Sequence, residues 1–133
     1  MILADTSAWI DYLRRSGHPT ALAMQRLAGT DELVLTEPVI MELLAGARSD
    51  RHAAALSKVL AQHLIAPVEG VDTFQGAATI YRTCRRSGET IRNAINCLIA
   101  AVAIRAGASL LHNDRDFDVI ARHTELEIHP VDP

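Results

Sequence analysis

Short apolar segments that alternate with helical patterns constrain this chain more than any other feature, because few folds bury such elements together. Ile2-Leu3-Ala4 reads as a buried strand, and Asp5-Thr6-Ser7 supplies cap chemistry for a helix carrying Trp9, Ile10, Tyr12 and Leu13. Gly17-His18-Pro19 ends that helix. Residues 20–28 predict a second helix, residues 33–35 a strand, and Thr36-Glu37-Pro38 the start of a helix closed by Gly46. Helical spacing then covers residues 50–64, a strand is expected at 65–68, and a long helix at 71–87 stops at Gly88. From 93 to 106 the apolar residues Ile95, Leu98, Ile99, Val102 and Ala106 follow helical spacing, with Gly107 as the stop. A strand at 109–112, a helix at 115–122 and a last strand at 126–129 complete the order. Strands that alternate with helices need crossover connections, so the expected fold is α/β: a three-layer α/β/α sandwich with a mainly parallel sheet of about five strands.

The chain has 133 residues, enough for one domain with a real core, and residues 1–133 are read as that single domain. No stretch reaches the roughly 18 apolar residues of a membrane span, and the start lacks a secretory pattern, so a cytoplasmic protein is expected. Cys84 and Cys97 fall in apolar helical patterns and read as reduced core thiols. The six histidines show no zinc spacing, and His112 is the one near the acids discussed below. A net charge of -3 speaks against a general nucleic-acid coat protein. Lys58 is the only lysine among the 13 basic residues, and arginine suits bidentate phosphate contact. Arg82, Arg85, Arg86 and Arg92 lie close together; a solvated helix face is the commoner origin of such a group, and a phosphate contact becomes attractive if acids gather nearby.

Asp5 and Asp114 each stand at or just after the end of an apolar strand, where ligand sites form in parallel sheets. For any single Asp before a helix, a plain N-cap is the commoner role. Glu42 lies off the Val39, Ile40, Leu43 stripe and beside small Ala45 and Gly46, so it can face a cleft or simply solvent. Asp116 follows Asp114 by two residues and can reach the same spot. If these acids gather, repulsion limits their use: two carboxylates about 4 Å apart cost roughly 4 kcal/mol at an effective dielectric near 20. Such a cluster calls for protons or a divalent cation, and hard oxygen donors favour Mg²⁺ or Mn²⁺. The reaction class this implies is phosphodiester hydrolysis.

Four segments carry a family resemblance: the opening Ile-Leu-Ala-Asp-Thr-Ser-Ala-Trp-Ile, Pro38-Val-Ile-Met-Glu42-Leu-Leu-Ala-Gly, Cys97-Leu-Ile-Ala-Ala-Val-Ala-Ile-Arg-Ala-Gly, and His112-Asn-Asp114-Arg-Asp116-Phe-Asp. In this order and spacing they resemble PIN-domain VapC toxins over nearly the whole chain. The resemblance implies acidic Mg²⁺ or Mn²⁺ sites, endonucleolytic cleavage of structured RNA such as tRNA or ribosomal RNA, and a cognate VapB antitoxin. Asp5, Glu42, Asp114 and Asp116 match the metal-site acids, and Ser7 is a hydroxyl helper at the same edge that can touch RNA. A homodimer is expected, with an antitoxin tail in a groove beside the site. Trp9, Tyr12 and Leu13 are the candidate antitoxin contacts, although a helix face of this kind is more often core than interface. Arg82, Arg86 and Arg92 are the candidate RNA-backbone contacts.

One position departs from the family pattern. Asn96 stands where the family normally has an Asp before the Cys-Leu-Ile-Ala-Ala segment. Asn is nearly isosteric with Asp and keeps a carbonyl oxygen, but it brings no charge and adds an NH₂ donor. Asn96 therefore remains a candidate site residue and metal ligand with weakened affinity. Two functions stay open on the sequence: a metal-dependent endoribonuclease toxin impaired by Asn96, and a silent module of the same fold that binds its antitoxin without cleaving RNA. A phosphoryl-accepting receiver or haloacid-type phosphatase is disfavoured, because Asp5-Thr6-Ser7 lacks a second Asp and Lys58 lies within a predicted helix.

Overall fold

The computed structural model describes residues 1–132. In chain order the elements are β1 (Ile2–Ala4), α1 (Thr6–Leu13), α2 (Pro19–Leu27), β2 (Leu33–Leu35), α3 (Glu37–Ala45), α4 (Asp50–Leu60), β3 (Leu64–Ile65), α5 (Val71–Arg86), α6 (Ala94–Ala106), β4 (Ser109–Leu111) and α7 (Arg115–His123). The sheet runs β3-β2-β1-β4 and every pairing is parallel. Helices cover both faces, which is why the strands read as unbroken apolar runs: Leu3, Ala4, Leu35, Leu110 and Leu111 are fully buried. In one group α1 packs on α2 and α3, and α3 on α4; in the other α5, α6 and α7 touch one another. Trp9, Phe117 and Met24 are the bulkiest side chains the two groups press into the core.

The strand order positions the site. From β1 the chain steps outward through β2 to β3, then returns across the sheet to place β4 on the other side of β1. The direction of winding reverses between β1 and β4, which opens a crevice beyond their carboxyl ends. Asp5 and Asp114 follow those two strands, and the backbone N–H of Asp5 donates to the Leu111 carbonyl at 3.0 Å.

Among the described residues the sheet has four strands, not five. Residues 126–129 form only an isolated parallel bridge between Leu110 and Ile128, with Leu110 N–H donating to the Glu127 carbonyl and His129 N–H to the Leu110 carbonyl. Pro130 follows at once and has no N–H with which to extend the ladder. The helix expected over 50–64 ends at Leu60, because His63 turns into the core and its Nε2 accepts from Gly29 N–H at 3.1 Å. Periodicity cannot register such a tertiary bond. The strand expected at 65–68 falls at Leu64–Ile65, since the ladder ends where Ala66 N–H meets the Leu35 carbonyl and Pro67 lacks a donor.

Candidate metal centre and active site

Asp5, a candidate site acid, is a helix cap. Its Oδ1 accepts from Ala8 N–H at 2.9 Å, which satisfies one of the free amides opening α1. The Ser7 hydroxyl lies 2.7 and 2.8 Å from its two carboxylate oxygens, and Asn113 N–H donates to the same hydroxyl at 2.8 Å. The residue is 2% exposed. Burial away from water pushes its carboxyl up to about 7; the hydrogen bonds from Ala8 and Ser7 oppose this, and the nearby Asp114 charge adds to it. Asp114 mirrors Asp5 across the crevice: its Oδ1 caps α7 by accepting from Asp116 N–H at 3.0 Å, and its own N–H donates to His112 Nδ1 at 3.0 Å.

Glu42 reaches the same edge from α3. Thr6 Oγ1 donates to Glu42 Oε1 at 2.6 Å, so the residue next to Asp5 in the chain ties α3 to the start of α1. The half-buried Glu42 also borders a cavity of about 450 Å³ between α1, α3 and α4.

Asn96 lies in the first turn of α6 but does not cap it. Asn93 is the cap, its Oδ1 accepting from Ile95 N–H at 3.1 Å. Asn96 is 4% exposed, and its NH₂ donates to Asp114 Oδ2 and Asp116 Oδ2, both at 3.1 Å. Asp116 further accepts from the backbone N–H groups of Arg92 at 3.4 Å and Asn93 at 3.3 Å, with the Arg92 Nε 4.0 Å away. These donors occupy Asp116, so it ties α7 to the α5–α6 loop while Asp5 and Asp114 face each other across the crevice.

The donor set suits a hard divalent cation. The oxygens that could hold it are those of Asp5 and Asp114, with the Asn96 amide beside them turning its NH₂ to Asp114 and Asp116, and burial leaves Asp5 without a compensating positive charge. Among the described residues no three His, Cys, Asp or Glu side chains form a metal-holding group by themselves. Asn96, buried beside Asp114 and Asp116, is neutral. Two carboxylates would fit an ion such as Mg²⁺, which keeps several waters and is commonly bound through one or two carboxylates.

A model of the PIN domain matches residues 2–123. Ribonuclease VapC11 of Mycobacterium tuberculosis and VapC ribonuclease Mb1587 of Mycobacterium bovis are each 44% identical over 129 residues, spanning 96% of this chain and 96% of each relative. This chain is a PIN-domain protein of the VapC family. VapBC2 from Rickettsia felis, solved bound to a DNA fragment from its promoter, shares the fold at 20% identity with a TM-score of 0.77, over 99% of this chain and 100% of that one.

In this VapC-family chain the remaining candidates fall at different places. Ser7 hydrogen-bonds both Asp5 and Asn113 at the edge of the crevice. Arg92 reaches Asp116, but Arg82 borders a separate apolar cavity of about 460 Å³ with Phe74 and Tyr81, and the Arg86 guanidinium bonds Thr83 Oγ1 on its own helix. Neither Arg82 nor Arg86 contacts the acids among the described residues. Trp9 is wholly buried, edge-on to Tyr12 and His63 at centroid separations of 5.9 and 5.3 Å, which corrects its reading as an antitoxin contact: its surface is spent inside the core. Tyr12 is half-buried and Leu13 is exposed on the cavity beside Glu42. Cys84 and Cys97 are buried free thiols, as expected. Thr6 and Asn113 were missed. Their partners lie 36 residues away, at Glu42, and about a hundred residues away, at Ser7 and Asp11, and local sequence carries no signal of that.

Proposed function

We propose that this chain is a metal-dependent endoribonuclease, the toxin partner of a VapB-type antitoxin, and that Asn96 lowers its activity. The observation that carries this reading is the placement of Asp5 and Asp114 across the crevice, with Asp5 buried and its carboxyl pushed up to about 7. Membership of the VapC family and the ribonuclease names of its relatives support RNA as the substrate. The VapBC assembly among its fold neighbours supports the antitoxin.

When bound, Mg²⁺ or Mn²⁺ supplies an activated water and stabilises charge on the phosphoryl group. The chain's own residues prepare the place. Ala8 N–H and the Ser7 hydroxyl fix the Asp5 carboxylate, the α7 amide fixes Asp114, and Thr6 holds Glu42 at the same edge. Arg92 stands at the rim, where it can meet the phosphate backbone. The substrate class we propose is structured RNA such as tRNA, cut without a covalent intermediate by a cytoplasmic homodimer; no described helix is long and apolar enough to cross a membrane.

A second reading is favoured by one contact. The Asn96 NH₂ gives Asp114 and Asp116 a neutral protein donor where a cation would otherwise compensate them, which suits a silent module that keeps antitoxin binding. Incubation with purified tRNA in Mg²⁺, beside an Asp5→Ala control, tests the first reading. Cleavage that Asp5→Ala abolishes is expected, and equal cleavage by both proteins would overturn it.

A further inference from the structure

The cavity beside Glu42 gathers basic side chains from two helices. Its walls bring Arg14, at the end of α1, together with Arg48 and His52, at the start of α4, over a floor that includes Leu13 and Leu56. On a chain of net charge -3, two arginines and a histidine here face one acid, Glu42. The cationic side is held in shape. Arg48 N–H donates to His52 Nδ1 at 3.2 Å and His52 N–H to Ser49 Oγ at 3.0 Å, which leaves His52 Nε2 as the ring's donor. Glu42 is also the residue tied through Thr6 to the start of α1, so the cavity and the crevice of acids share a wall.

We propose that this cavity is a nucleotide subsite that holds RNA beside the scissile bond, resting on the ribonuclease reading above. About 450 Å³ lies within the roughly 300–1,000 Å³ range of small-ligand clefts. An unstacked base rests on Leu13 and Leu56 or on an arginine plane, as bases do on apolar surfaces and guanidinium groups in single-stranded RNA recognition. Its phosphates lie toward Arg14, Arg48 and His52, because Glu42 and the acids beyond it repel them. The strand thus runs from a positive subsite into the negative crevice where a cation is needed. This assigns the RNA grip to Arg14 and Arg48 on the α1/α4 side, whereas Arg82 and Arg86 lie on α5, Arg82 beside a different cavity.

The test separates binding from chemistry by using chelator. Binding of a mixed-sequence single-stranded RNA oligonucleotide is measured against salt for the full chain, for the Arg14→Ala/Arg48→Ala double variant, and for Arg26→Ala/Arg105→Ala, which removes the same charge from exposed positions outside the cavity. Each phosphate contact contributes about 0.7 to the slope of log affinity on log salt, so the first pair should lower the slope by about 1.4 and weaken binding at least about tenfold. The second pair should change neither. Arg14 and Arg48 are exposed, so the melting temperature should hold in both variants. An unchanged slope in Arg14→Ala/Arg48→Ala, or an equal loss in the control pair, overturns the subsite. So does a cavity variant that binds RNA normally but no longer binds a VapB-type antitoxin, because the cavity would then be a protein groove. RNA binding with the expected slope but no cleavage by the Asn96→Asp form in Mg²⁺ would leave the subsite standing and end the ribonuclease reading. Cleavage by that form at a rate the cavity variant does not change would do the reverse.

Discussion

Asp5→Asn should change stability in a way that depends on pH, and only above the acid range should it help. The Asp5 carboxyl is raised from 3.8 to about 7, chiefly because folding takes it out of water. Folding therefore favours its protonated form: the stability this gives is fully present below pH 3.8 and is lost progressively as the pH climbs through about 7. At about 1.4 kcal/mol per pKa unit, the loss amounts to about 4 kcal/mol. Asn cannot ionise and caps a helix about as well as Asp. It does turn an NH₂ toward a position where the Ser7 hydroxyl now donates, at a cost of about 1–2 kcal/mol. In chelator, Asp5→Asn should thus be slightly less stable than the parent near pH 4 and about 2 kcal/mol more stable near pH 8, a difference of roughly 8 °C in melting temperature. Thermal melts of both proteins across that range check it. A gap between the two melting temperatures that stays flat from pH 4 to 8 would refute the argument that Asp5 is a desolvated acid held for use rather than for stability.

Two further outcomes follow from the same contacts. Replacing Asn96 by Asp removes the NH₂ that bonds Asp114 and Asp116 and sets a third acid against them, so in chelator the melting temperature should fall by the equivalent of about 2–4 kcal/mol; Mg²⁺ or Mn²⁺ should restore more of it than it adds to the parent, and equal metal-induced shifts in calorimetry would remove position 96 from the metal centre. Trp9→Ala should cost about 3–5 kcal/mol in urea unfolding, because the ring is fully buried, and a loss under about 1 kcal/mol would contradict its place in the core.

Legibility followed the range of the interactions. The α6 helix could be read almost to the residue, since its apolar period and the left-handed Gly107 that ends it are local features. The caps Asp5 and Asp114 were visible for the same reason, and their meeting at one crevice emerged from the strand order that sets β4 beside β1. Contacts between distant segments were not visible. His63 ends α4 early through a bond to Gly29, Pro130 reduces the last strand to a bridge, and Thr6 finds Glu42 only once α1 packs on α3. Trp9 shows the converse error: an aromatic beside a helix start looks alike as core or as interface, and the packing of α1 on the sheet decides. The charge groups divided in the same way. Arg82 and Arg86 are neighbours in sequence but not neighbours of the acids, whereas Arg14 and Arg48, far apart in the chain, meet over one cavity.

The most direct test of the account compares RNA cleavage by this chain and by its Asn96→Asp form, on one mixed RNA substrate, in Mg²⁺ and in chelator. The Asn96 NH₂ now compensates Asp114 and Asp116 without bringing a charge to a cation, so restoring a carboxylate should raise the Mg²⁺-dependent rate at least about tenfold, which asks for only about 1.4 kcal/mol of transition-state stabilisation. Chelator should abolish cleavage by both forms. Equal rates in Mg²⁺, or cleavage that persists in chelator, would contradict the claim that Asp5, Asp114 and position 96 form a metal-dependent nuclease centre.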